Sequence, residues 1–155
     1  MGQVHATQAC AGTVVEAERC WYDTARWPNW VDECERVLSV DSTWPRAGAA
    51  VTWESGPAGR GRVTERVVVH DPLRGQLVEV TDTSIRGQQR VSFTPSDEGV
   101  EVRLELDYQL RNRTIVSPLV DLLFIRRAMT ASLQATVRRF GVELQAARER
   151  PAPEH

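Results

Sequence analysis

The sequence predicts an α+β fold in which an antiparallel sheet of about seven strands carries one long C-terminal helix. Three observations predict it. From about residue 33 to residue 110 the chain is a succession of short apolar runs divided by tight-turn residues, the texture of a meander. Leu119, Leu122, Arg126, Met129, Leu133, Val137, Phe140 and Leu144 then recur at alternating steps of three and four, which is one stripe of a helix. Finally, 155 residues with 41% hydrophobic content suffice for a single domain with its own core, placed at residues 1–147. The polar, proline-containing stretch 148–155 is expected to be a disordered tail.

The first strand is expected over Val4 to Val14, with Val4, Ala6, Cys10 and Val14 on one face. Two short helical turns follow between Glu16 and Trp30, because Pro28 can open a turn but cannot sit inside a longer helix. Further strands are predicted at about 34–41, 49–55, 61–71, 76–84, 88–94 and 100–110. Alternation is cleanest in the last of these. Val100, Val102, Leu104, Leu106, Tyr108 and Leu110 face one way, and charged or amide side chains face the other. In 61–71 the inner register is Val63, Glu65, Val67 and Val69, which buries Glu65 and leaves His70 outside. Val51 with Trp53, Val78 with Val80 and Val91 with Phe93 complete the inner face. Asp82 follows Val80 in the same register, near a strand end where water reaches it. The closing helix is predicted from Ser117, a capping residue, through Pro118 at the first position to about Gln145. Arg126 is the anomaly on its apolar stripe.

Composition excludes several function classes. A formal charge of −2 gives no electrostatic basis for binding nucleic acid or an anionic membrane. No window of ~18 apolar residues suggests a membrane span. The N-terminal stretch MGQVHATQACAG has neither a basic region nor an apolar core for export, so a cytoplasmic location is expected. Gly2 lacks the Ser or Thr at position 6 that myristoylation requires, since Ala6 stands there. Cys10, Cys20 and Cys34, three thiols at wide spacing, fit buried free thiols in a reducing compartment rather than a metal site or disulfides.

Catalytic motifs are sparse. His5, His70 and His155 are scattered, and no cluster has metal-ligand spacing, so neither metal nor cofactor is expected. The run GPAGRG at 56–61 precedes a strand, not a helix, and fits a hairpin turn better than a phosphate loop. Two kinds of residue remain. Trp27, Trp30, Trp53, Phe93 and Tyr108 are large aromatic or amphipathic groups. Glu65 and Arg126 are charges on faces that should be apolar, so each needs an opposite charge, water or a ligand.

The order of a first strand, Cys20-Trp21, Arg26-Trp27-Pro28-Asn29-Trp30, the meander with strand 100–110 and the Leu133 to Leu144 helix resembles the START-like, helix-grip (SRPBCC) superfamily. Within it, the polyketide cyclase/dehydrase and lipid-transport group is the most similar. The spacing from Trp21 to Trp27 is shorter than that group's usual spacing. The resemblance implies a curved antiparallel sheet wrapped around the long helix, with a hydrophobic cavity between them. The expected function is binding of a small, lipid- or polyketide-like molecule by a monomer or homodimer. Its contacts would be Trp27, Trp30, Trp53, Glu65, Val80, Phe93, Leu106, Tyr108, Leu122, Arg126 and Met129. Arg126 is expected to hold the ligand's polar end, with Glu65 as its partner in the empty site. The alternative is a cyclase, aromatase or dehydratase, in which Glu65 would act as base and Arg126 or Tyr108 would steady an oxyanion. A third possibility, a partner-binding surface, rests on the apolar run at 115–125.

Overall fold

In the computed structural model, which describes residues 2–57, 59–111 and 118–150 (for 118–122 the backbone alone), the chain opens with β1 (Gly2–Cys10). There follow α1 (Val14–Tyr22), a 3-10 turn (Thr24–Arg26) and the single helical turn α2 (Trp27–Trp30). The meander comprises β2 (Cys34–Val40), β3 (Ala50–Ser55), β4 (Arg62–Asp71), β5 (Gly75–Thr81), β6 (Ile85–Ser96) and β7 (Gly99–Leu110), and α3 (Pro118–Glu149) closes the chain. All pairings are antiparallel, in the order β1-β7-β6-β5-β4-β3-β2. The first strand therefore docks beside the last, and the other five follow in reverse sequence order.

The expected first strand ends four residues early, at Cys10, and Val14 begins α1 instead. The cause is a capping box. Thr13 Oγ1 accepts the Glu16 N–H at 3.1 Å, and Glu16 Oε1 accepts the Thr13 N–H at 3.0 Å. Two of the helix's unpaired donors are thus satisfied at its first turn. Pro28 sits in the first turn of α2, where its missing N–H costs nothing.

The expected alternation in β7 holds: Val100, Val102, Leu104, Leu106 and Tyr108 are buried and Glu101 and Asp107 exposed. On β4, Val63, Glu65 and Val67 point inward. A bulge against β5 between Val67 and Val69 then adds a residue and reverses the facing. Val69 is therefore exposed, contrary to the sequence register, and the His70 ring turns inward to meet Tyr22 edge-on at 5.4 Å. Gly87 of β6 lies in the inward register, where a Cβ would stand 2.1 Å from the Asp107 carbonyl oxygen. Only glycine permits that approach.

Helix α3 rests mainly on β1 and buries Leu133, Val137, Phe140 and Leu144. Burial fades toward its N-terminus: Met129 is half-buried, and Arg126, Leu123 and Phe124 are exposed. Arg126 thus needs no buried partner, because water reaches the stripe at that turn. Ser117 and the side chains of Leu119 and Leu122 lie outside the described residues. No described helix is long and apolar enough to cross a membrane.

Candidate functional site

Four of the five tryptophans converge on one cavity between the concave face of the sheet and the helices. Trp21 comes from the end of α1, Trp27 and Trp30 from α2, and Trp53 from β3. Pro28 places the two α2 indoles on successive sides of a single turn, with ring centroids 6.3 Å apart and nearly perpendicular. Trp30 also packs on Trp21 at 4.6 Å and on Phe140 of α3 at 5.0 Å. Val80, Leu104, Leu133 and Val31 add aliphatic wall. The enclosed volume is about 40 Å³.

Polar side chains line the same space. Glu65 is 8% exposed, and its Oε2 accepts a 2.7 Å hydrogen bond from Trp53 Nε1. Burial pushes its carboxyl pKa up, against the opposing pull of the Trp53 hydrogen bond and the Arg60 charge. Arg60, on the β3–β4 turn, stands over the Trp53 ring at 5.6 Å. Its Nε donates at 2.7 Å to Asp82 Oδ2. Asp82 is itself buried, contrary to the expectation that water reaches it, because the Ser84 and Ile85 N–H groups donate to its other oxygen at 2.7 and 2.8 Å. That shell compensates the buried charge. Cys34 lies close enough that burial and the Glu65 charge together push its thiol up to about 12.

On the helix side, Asp32 ties α2 to α3. Its Oδ2 accepts from Ser132 Oγ at 2.7 Å, its Oδ1 from Arg139 Nη1 at 3.2 Å, and its N–H donates to Thr136 Oγ1 at 3.0 Å. Gln89, from the inner face of β6, completes the lining. No group of three or more His, Cys, Asp or Glu among the described residues is arranged to hold a metal. A wider recess of about 430 Å³ lies on the outside of β5–β7, among Glu79, Arg86, Gln88 and Asp107. It is an open, charged surface without the tryptophan wall.

Of the site residues expected from sequence, Trp27, Trp30, Trp53, Glu65 and Val80 line the cavity together. Phe93, Leu106 and Tyr108 are buried on the same sheet face but outside the lining. Burial raises the Tyr108 pKa, and the Arg126 charge opposes that rise. Arg126 therefore acts on Tyr108, while the cation acting on Glu65 is Arg60; the expected Glu65–Arg126 pairing is replaced by these two. Met129 is half-buried against the core outside the lining, and the Leu122 side chain lies outside the described residues. Trp21, Asp32, Arg60, Gln89, Ser132 and Thr136 were not foreseen. A cation in a hairpin turn has no periodicity to betray where it points.

A sequence profile of the family described as polyketide cyclase / dehydrase and lipid transport matches residues 1–145. No curated protein matches the chain. Among solved structures, TTHA0849 from Thermus thermophilus is similar, with 20% identity over 94% of this chain and 99% of that one and a TM-score of 0.74. A START superfamily protein from Mycobacterium smegmatis has 12% identity over 94% and 98% of the two chains, with a TM-score of 0.74. The di-domain ARO/CYC StfQ from the steffimycin biosynthetic pathway has 15% identity over 94% of this chain and 51% of its own, with a TM-score of 0.73. At these identities the likeness is one of fold.

Proposed function

This chain belongs to the polyketide cyclase/dehydrase and lipid-transport family, and we propose from that premise that it encloses a small, largely apolar molecule in the tryptophan-walled cavity. The single observation that carries this reading is the convergence of Trp21, Trp27, Trp30 and Trp53 around a buried carboxyl, Glu65. Aromatic walls supply affinity through apolar burial, at ~25 cal/mol per Å² of surface removed from water, while a few polar groups set orientation. A volume of about 40 Å³ is far below the ~300 Å³ at which ligand pockets begin. Binding therefore requires the walls to part. The proposed setting is the cytoplasm, in keeping with the three buried free thiols.

A second reading has one observation in its favour. An acid/base reaction on a polyketide-like chain needs a carboxyl with a displaced pKa inside the cavity, and Glu65 is one.

Native mass spectrometry of freshly purified protein, with solvent extraction of what co-purifies, tests the binding reading. A retained lipid or aromatic molecule is the expected result. Tryptophan fluorescence should also respond to such a molecule, and Trp30→Phe should diminish the response. Protein that retains nothing and whose fluorescence is indifferent to added bicyclic ketones and fatty acids would sink it.

A further inference from the structure

We propose that Trp30 Nε1 is the specificity-determining donor of the cavity, selecting ligands that bring a carbonyl-type acceptor oxygen to it. The inference rests on the binding reading above and adds the chemistry of the ligand's polar end.

It begins with the indole N–H groups. Trp27 Nε1 donates to the Trp21 carbonyl at 2.8 Å, Trp44 Nε1 to the Tyr22 carbonyl at 3.0 Å, and Trp53 Nε1 to Glu65 Oε2 at 2.7 Å. Each of these three tryptophans is thereby held by nearby backbone or by a neighbouring side chain. Trp30 is 1% exposed, and its Nε1 has no acceptor among the described residues. Buried donors are almost always paired, and an unpaired one is unfavourable. Trp30 is also a wall of the cavity.

None of the described polar groups around the cavity accepts from the Trp30 N–H, and several are already engaged. Asp32 takes Ser132 and Arg139, Thr136 takes the Asp32 N–H, and Glu65 Oε2 takes Trp53. The unspent capacity at Trp30 is therefore a donor with one direction. An indole N–H can donate only. Its complement is an acceptor: a ketone, ester or enolate oxygen, not an ammonium or an aliphatic chain end. A buried polar group that expects such an oxygen discriminates strongly against an analogue lacking it.

The test uses two bicyclic probes of nearly equal size, 1-tetralone, which carries a carbonyl, and tetralin, which does not. Affinities are measured by calorimetry on the full chain. The wild type should bind 1-tetralone about tenfold more tightly than tetralin, as a buried hydrogen bond implies, and in Trp30→Phe the ratio should fall to about one. Using the ratio cancels general damage to the cavity. Equal affinities in the wild type, or a ratio that survives in Trp30→Phe, would overturn the proposal while leaving cavity binding intact. Failure of both probes to bind would overturn the binding reading and this inference with it. Should Trp30→Phe not fold, nitrogen-15 labelling of the tryptophans decides. The Trp30 indole signal, assigned through its contacts with the Trp21 and Phe140 rings, should move downfield with 1-tetralone and not with tetralin. A Trp30 signal indifferent to 1-tetralone would mean that water alone satisfies the N–H, and the proposal would fail.

Discussion

Replacing Glu65 by glutamine should alter the pH dependence of stability more than stability itself. Glu65 is buried with the Trp53 indole on Oε2. Burial, the largest influence, raises its pKa above the ordinary 4.5, while the Trp53 hydrogen bond and the Arg60 charge restrain the rise. The folded state thus holds the proton more tightly than the unfolded chain. That contribution is fully present below the unfolded value and is lost as pH rises through the raised folded one. Inside this window one proton separates the two states, so wild-type stability falls by up to ~1.4 kcal/mol per pH unit. Glutamine keeps an acceptor for Trp53 but cannot ionise, so its curve lacks the slope. A constant offset of ~1 kcal/mol for the amide's extra N–H is expected at acid pH. Urea unfolding from about pH 4 to about pH 9 measures both proteins. The variant should gain on the wild type as pH rises, then level off. Arg60→Met, which removes the cation favouring the carboxylate, should push the levelling point higher. Parallel curves across the range would refute the reasoning, because Glu65 would then have the same proton affinity folded and unfolded.

Five further outcomes are expected. Leu106→Ala should cost ~2–5 kcal/mol, from lost burial plus the cavity left behind. Glu105→Ala, which breaks only a part-exposed pair with Arg103, should stay within ~1 kcal/mol of neutral in the same urea assay. Gly87→Ala should destabilise by ~1–3 kcal/mol, since the new Cβ meets backbone at Asp107 and Tyr108 that has no room to yield. The thiols of Cys10, Cys20 and Cys34, which burial pushes up to about 11, about 11 and about 12, should react with a disulfide reagent only after unfolding. Arg126→Met should leave stability within ~0.5 kcal/mol of wild type, while spectroscopic titration should find the Tyr108 phenol shifted further upward, because Arg126 restrains it.

What could be foreseen from the chain divides along physical lines. The alternation in β7 and the three-four stripe from Leu133 to Leu144 are strong periodic signals, and each maps onto a buried face. Glu65 was legible because a charge within an otherwise apolar register is conspicuous. The bulge at Val67 and Val69 was not, since β-branched residues suit either face and nothing local marks the extra residue. Arg126 misled because periodicity gives an angle around α3 but not the depth of each turn, and its turn is exposed. Arg60 and Asp32 lie in a turn and a loop, where position is decided by tertiary hydrogen bonds to Asp82, Ser132 and Thr136. The Thr13–Glu16 capping box was visible in the sequence as T-x-x-E, but Val14 matched the face of Val4, Ala6 and Cys10 and so extended the expected strand across it.

The state of Glu65 also bears on which chemistry the cavity can support. A base must carry the negative charge before it takes a proton, and burial disfavours that form here. The Arg60 charge offsets part of that cost while its Nε stays committed to Asp82 at 2.7 Å. The two carboxyls therefore share one guanidinium, and Asp82, with the direct bond and two backbone N–H groups, is the better compensated. Burial thus favours the protonated form of Glu65 relative to an exposed carboxyl, and that is the form that donates. With the Trp30 N–H it would present two donors to the same small space, an arrangement that polarises a carbonyl rather than strips a carbon acid. If turnover occurs, the step this pocket favours is protonation or hydrogen bonding at a ligand oxygen, with the carbon-bound proton left to solvent or to the substrate itself. Binding and catalysis would then share one requirement, an acceptor oxygen facing Trp30 and Glu65.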